Sequence, residues 1–144
     1  MNPSYLRILF IAGILLPLFG LTPPQAATEG AAKPRAKVIP LQSQERAVSP
    51  ILTGPPETVT MKSGYVVLPP GKSVGKHSTE QKEEILIVLE GQGEMIFSNG
   101  SKLPVKANTA LYCPPQTEHN VSNTGTGVLR YVYVVANARE DTPR

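Results

Sequence analysis

The chain has 144 residues, a formal net charge of +3, and a single cysteine, Cys113. An internal disulfide framework is therefore excluded, and the mixed signs along the chain leave no basic block of the kind a nucleic-acid surface requires. One small domain, held by its apolar core alone, is the expectation.

Residues 1–27 contain one charge, Arg7, and no acid, and Ile8 to Leu21 is almost wholly apolar. This stretch falls short of the ~20 apolar residues that span a bilayer comfortably. Its layout is that of a secretory signal: a basic start, an apolar middle, and Thr-Pro-Pro-Gln-Ala-Ala ending at Ala27. Cleavage there leaves a soluble mature chain from Thr28 with 13 basic and 11 acidic residues, periplasmic or secreted, with no stable membrane insertion. Retention as an uncleaved anchor is the alternative. Residues 28–56 are rich in Ala, Pro and Gln, and Pro34, Pro40, Pro50, Pro55 and Pro56 break any long period. They read as a flexible leader with room for a short edge strand at Ala47–Leu52.

From Glu57 to about residue 137 the pattern changes to short apolar runs separated by Gly, Pro and Asn. Strands are predicted at Gly64–Leu68, Glu84–Glu90, Glu94–Phe97, Leu103–Val105, Thr109–Cys113, His119–Ser122 and Val128–Ala136. Strands at this spacing indicate an all-β sandwich or barrel, and a jelly roll of two packed sheets around a cavity satisfies the pattern. The near-continuous apolar run Ile85–Leu89 predicts a strand covered on both faces. Residues 138–144 form a polar tail.

The chain's two histidines lie in two separate segments, His77 in a connecting region and His119 at the start of a predicted strand. Gly71 is followed after five residues by His77; Thr79 stands two beyond, Glu84 five after that, and Gly91 follows Glu84 after six more. In the second region Pro114, Gln116, His119 and Asn123 stand at spacings of two, three and four. Both segments, with the strands between them, resemble the cupin family, whose motifs are Gly-x5-His-x-His-x3,4-Glu-x6-Gly and Gly-x5-Pro-x-Gly-x2-His-x3-Asn. The resemblance implies a double-stranded β-helix jelly roll, the cupin barrel, and a divalent metal. It places His77, Glu84 and His119 on three of the family's four ligand positions. Thr79 stands where the family has its second histidine, and Asn108 and Gln116 stand where it has glycines. A threonine hydroxyl is a poor ligand but can hydrogen-bond a metal-bound water.

The chemistry of the residues agrees. Two imidazoles and a carboxylate form a set that leaves open positions and suits Fe, Mn, Ni or Zn. A lone histidine is most often an exposed surface residue; here both fall on ligand positions. Glu83 competes with Glu84, but only one of two adjacent strand residues faces the pocket, and the spacing to Gly91 selects Glu84. Glu80 and Gln81 belong to the rim. Cys113 reads as a small buried apolar residue, since no cation adjoins it to lower its pKa. Tyr112, Tyr131 and Tyr133 are candidates to line the cavity or the core, and Arg130 reads as an outer-face residue more readily than as a partner for an anion. No catalytic residue or substrate contact is identified. Two functions stay open: a metal-dependent enzyme of dioxygenase, isomerase or decarboxylase type on a small polar molecule, and a non-catalytic module that binds or senses a small ligand. A homodimer covering sheet edges is compatible with both.

Overall fold

The computed structural model describes residues 33–42 and 47–138; the expected signal segment and nearly all of the tail lie outside the described residues. Nine strands follow in order: β1 (Val48–Thr53), β2 (Lys62–Leu68), β3 (His77–Ser78), β4 (Lys82–Glu90), β5 (Gln92–Phe97), β6 (Lys102–Lys106), β7 (Thr109–Cys113), β8 (Glu118–Ser122) and β9 (Leu129–Asn137). No helix occurs among the described residues. Two antiparallel sheets form, one in the order β1-β2-β9-β4-β7 and the other β3-β8-β5-β6. This is the jelly roll that the turn spacing predicts.

The edge strand expected at Ala47–Leu52 is present one residue further on, as β1, so the leader supplies a strand to the five-stranded sheet. Beyond it Glu57 accepts from the Thr53 amide at 2.7 Å and the Thr53 hydroxyl at 2.8 Å, and it pairs with Lys37. These contacts hold its carboxyl down at about 2, Lys37 contributing most.

The core fills the space between the sheets. Val66 and Leu68 on β2, Leu86 and Val88 on β4, and Leu129 and Tyr131 on β9 face Met95, Val105 and Val121 of the second sheet. Each fully buried aliphatic side chain here contributes about 1.5–3 kcal/mol relative to exposure. Alternation does the sorting: β4 buries Glu84, Leu86 and Val88 and turns Ile85, Ile87 and Leu89 outward.

That outward set corrects the sequence reading of β4. Ile85, Ile87 and Leu89 are 38%, 43% and 44% exposed, so the strand is covered on one face only within this chain. The apolar run gives no way to tell a face covered by the same chain from one left open. Tyr112 is a second correction: it is 56% exposed on the outer face, where its hydroxyl donates to Glu83 at 3.0 Å, and it does not line the cavity.

Two non-glycine residues explain departures in the second motif. Asn108 has φ of 62° and Gln116 has φ of 57°, both in the left-handed region where glycine is the default. At both positions the backbone holds the conformation that glycine adopts most readily. Asn123 closes the far end of the barrel: its Nδ2 donates to Leu68 O and Gly127 O, both at 2.8 Å, and its Oδ1 accepts from Gly125 N at 2.9 Å. The motif asparagine is thus a buried structural tie.

Candidate metal centre

The inner faces grade from apolar floor to polar mouth. On β9 the inward residues run Leu129, Tyr131, Tyr133, Val135; on β4 they run Val88, Leu86, Glu84; on β8 Val121 is followed toward the mouth by His119. At the mouth, β3 pairs with β8 so that His77 lies directly opposite His119. The strand β3 is only two residues long, too short for an alternation pattern to reveal, yet it carries the candidate ligand His77. The two imidazole centroids are 4.4 Å apart and tilted by 60°.

The three predicted ligands come together: one ligand atom from each of His77, Glu84 and His119 lies within 4.8 Å of the others. Both imidazoles are oriented in the same manner. His77 Nδ1 meets Gly75 O at 3.0 Å and His119 Nδ1 meets Thr117 O at 3.2 Å, each two residues back along the chain. A carbonyl only accepts, so each Nδ1 carries the proton and donates, and Nε2 is the atom left for a metal.

His119 Nε2 is buried and has no aligned hydrogen bond, although Glu84 Oε2 is 3.2 Å away. Two ligands on one ion with bonds of ~2.1 Å stand roughly 3.0–3.4 Å apart, so this pair already has the separation a shared cation requires. Without a metal, the same closeness is that of an imidazolium–carboxylate pair. The residues fit a divalent ion. Burial works against protonation of His119, but its bond with Cys113, then Glu84, and the Thr117 carbonyl outweigh burial and raise its pKa to about 10.

The other candidates sort cleanly. Glu83 points outward to Tyr112, and Glu80 and Gln81 are exposed at the rim. Cys113 is fully buried and contacts Met95 Sδ at 3.2 Å. Arg130 lies on the outer face and pairs with Glu90. The Thr79 hydroxyl donates to Pro114 O at 2.9 Å, so its one proton is committed and it can meet a metal-bound water only as an acceptor.

A cavity of about 390 Å³ opens beside the three ligands, a volume in the range of small-molecule sites. Glu84 is the one acid among its described lining residues, against Lys62, Lys76 and Lys82. Tyr131 and Tyr133 also line it. Burial first, then the charge of Glu84, pushes both phenols above their ordinary value, so at neutral pH they are protonated donors. The sequence did not single out Lys62. Its place follows from register: Lys62 and Glu84 both pair with Val135, one from each side, and so share one row across the sheet.

The family described as Cupin domain matches residues 64–135, half of the chain. An oxalate-binding protein from Thermotoga maritima is 37% identical over 68 residues, covering 47% of this chain and 55% of that protein. An uncharacterized protein from Methanocaldococcus jannaschii is 36% identical over 64 residues, covering 44% and 50%. The chain thus spans about half the length of the curated relatives it matches. Among solved structures, a Cupin 2 conserved barrel domain protein from Salinispora arenicola aligns with a TM-score of 0.60 at 23% identity, over 72% of this chain and 91% of that one. At that identity the likeness concerns the fold.

Proposed function

This chain belongs to the cupin family, and on that premise we propose that it binds one divalent metal through His77, Glu84 and His119 and uses the metal to hold a small carboxylate anion. The observation that carries the reading is His119 Nε2, buried, without an aligned hydrogen bond and 3.2 Å from Glu84 Oε2. Three protein ligands leave coordination positions free, and a bound metal supplies Lewis-acid attraction for an anionic oxygen there. Lys62, Lys76 and Lys82 surround the cavity with positive charge. Lys76 is engaged with Glu118 at 3.1 Å and Lys82 with Glu80 at 3.4 Å, while among the described residues Lys62 has no carboxylate partner. Tyr131 and Tyr133 add neutral donors. The oxalate-binding relative supports an anion of this class. Fe, Mn, Ni and Zn all suit the ligand set. The apolar Ile8–Leu21 segment supports an exported protein, which amino-terminal sequencing starting at Thr28 would bear out and an intact Met1 on soluble protein would refute.

The test is metal content by elemental analysis after identical dialysis, followed by oxalate titration of the Mn(II)-loaded and metal-free proteins. His77→Ala and His119→Ala should lose the metal and Glu83→Ala should keep it. Oxalate should bind only the loaded form. Equal metal content in wild type and His119→Ala would sink the metal reading; oxalate binding that ignores the metal would sink the carboxylate reading.

A further inference from the structure

We propose that Thr79, which stands where the family has a histidine, is a positioning residue for the metal centre: it locks the loop that aims His119. The inference rests on the metal-binding reading above and adds a role for a residue that the motif leaves as a mere departure.

Thr79 is 5% exposed and joins the loop after β3 to the loop between β7 and β8 by three bonds. Its hydroxyl donates to Pro114 O at 2.9 Å and accepts from Thr117 N at 2.9 Å. Its own amide donates to Thr117 O at 3.1 Å. That same Thr117 carbonyl accepts from His119 Nδ1 at 3.2 Å. Both of its lone pairs are therefore in use, one by Thr79 and one by the ligand. The Gln116 amide adds a bond to Glu80 O across the same junction. Glu80 and Gln116 both hold left-handed backbone, at φ of 53° and 57°, a conformation that persists in non-glycine residues only when the surroundings fix it.

The consequence runs from sequence to chemistry. The Thr117 carbonyl cannot rotate while both its amide and its oxygen are held by Thr79. His119 Nδ1 then has one fixed acceptor, and Nε2 faces Glu84 and the cavity. Partners that orient a ligating histidine in this way carry much of a site's affinity. The hydroxyl's only proton lies on Pro114 O, so Thr79 has none to give to a metal-bound water. A histidine here would lose both side-chain bonds to the loop, so it would not simply complete a four-ligand set.

Thr79→Val keeps the shape and removes both side-chain bonds; Thr79→Ser keeps the bonds. Two readouts decide the matter. In the metal-free protein, amide hydrogen exchange at Thr117 should speed up by ~10-fold or more in Thr79→Val and change little in Thr79→Ser, since only the former leaves this donor without an acceptor. With Mn(II) as the probe, Thr79→Val should weaken binding by ~10–100-fold, the range for loss of an orienting partner, and Thr79→Ser should restore it. Thr79→His should also bind more weakly than wild type. Tighter binding by Thr79→His, or unchanged Mn(II) affinity in Thr79→Val, overturns the inference while wild-type metal binding stands. Wild type that holds no Mn(II) defeats the metal reading itself and this inference with it.

Discussion

At the scale of single residues, the centre is governed by which atom of His119 carries a proton. The backbone fixes Nδ1 as a donor, so proton and metal compete for Nε2. Glu84 and Cys113 favour the proton against burial, and the group holds it to about pH 10. Around it stand His77 on β3, Glu84 on β4, Cys113 on β7 and the phenols of Tyr131 and Tyr133 on β9. On the proposed metal reading, uptake would release that proton across the neutral range. Mn(II) affinity should rise ~tenfold per pH unit between pH 7 and 8.5, and calorimetry in buffers of different ionisation enthalpy should report close to one proton released. A flat affinity above pH ~6.5, the ordinary imidazole value, would show that His119 titrates as a free side chain. The sign for stability is opposite: a raised pKa stabilises the metal-free fold fully below pH ~6.5 and loses that contribution as pH rises through about 10. The cluster of His77, Glu84 and His119 was legible in the sequence because the resemblance to the cupin motifs singles out these three positions, and the fold brings them together. The places of Thr79 and Lys62 were not, because they depend on which loop and which row each residue meets across the barrel.

At the scale of elements, seven of the nine strands follow directly from apolar runs closed by Gly, Pro or Asn, and β1 lies within one residue of its expected place. The pair of residues in β3 escaped because a strand that short has no period. Strand register then makes contacts that no local pattern contains. Gly64 on β2 lies opposite Tyr133 on β9, and a Cβ at Gly64 would lie 2.5 Å from Tyr133 Cε1 and 2.6 Å from its hydroxyl. The missing side chain is the niche in which the phenol rests at the cavity wall. Gly64→Ala must displace that ring. The stability loss should be modest, ~1–3 kcal/mol for an overpacked site, because the ring is only partly buried and can swing. Its larger effect should be on ligand binding. If Tyr133 donates to the anion, Gly64→Ala and Tyr133→Phe should each weaken oxalate binding to the Mn(II)-loaded protein while leaving Mn(II) affinity within ~3-fold, since neither touches a ligand and a hydrogen bond to a charged group is worth about 1.5–3 kcal/mol. Unchanged oxalate affinity in Tyr133→Phe would remove the phenol from the proposed contacts.

At the scale of the molecule, the barrel has two unlike surfaces on its larger sheet. Inside are the core and the centre. Outside, Ile85 and Ile87 of β4 stand between Val132 and Val134 of β9 on one side and Ala110 and Tyr112 of β7 on the other. This is a contiguous apolar face, with β7 at the open edge of the sheet. Contiguous apolar surface of this kind, unlike scattered single residues, marks a contact site, and an unpaired edge beside it invites pairing. We propose that a second copy of the chain covers it, because a two-fold axis brings the same apolar face against itself and requires no other partner. Such a dimer would also bury β4 on its second face, the condition its apolar sequence led one to expect. Light scattering on the purified protein should give twice the chain mass. Ile87→Lys, at the middle of the face, should shift it to a monomer, since a charge buried without a partner at the centre of an interface is strongly unfavourable. The same variant should keep its metal, because Ile87 points away from His77, Glu84 and His119. A wild-type monomer at all concentrations would refute the dimer, and a dimer untouched by Ile87→Lys would move the interface to another surface.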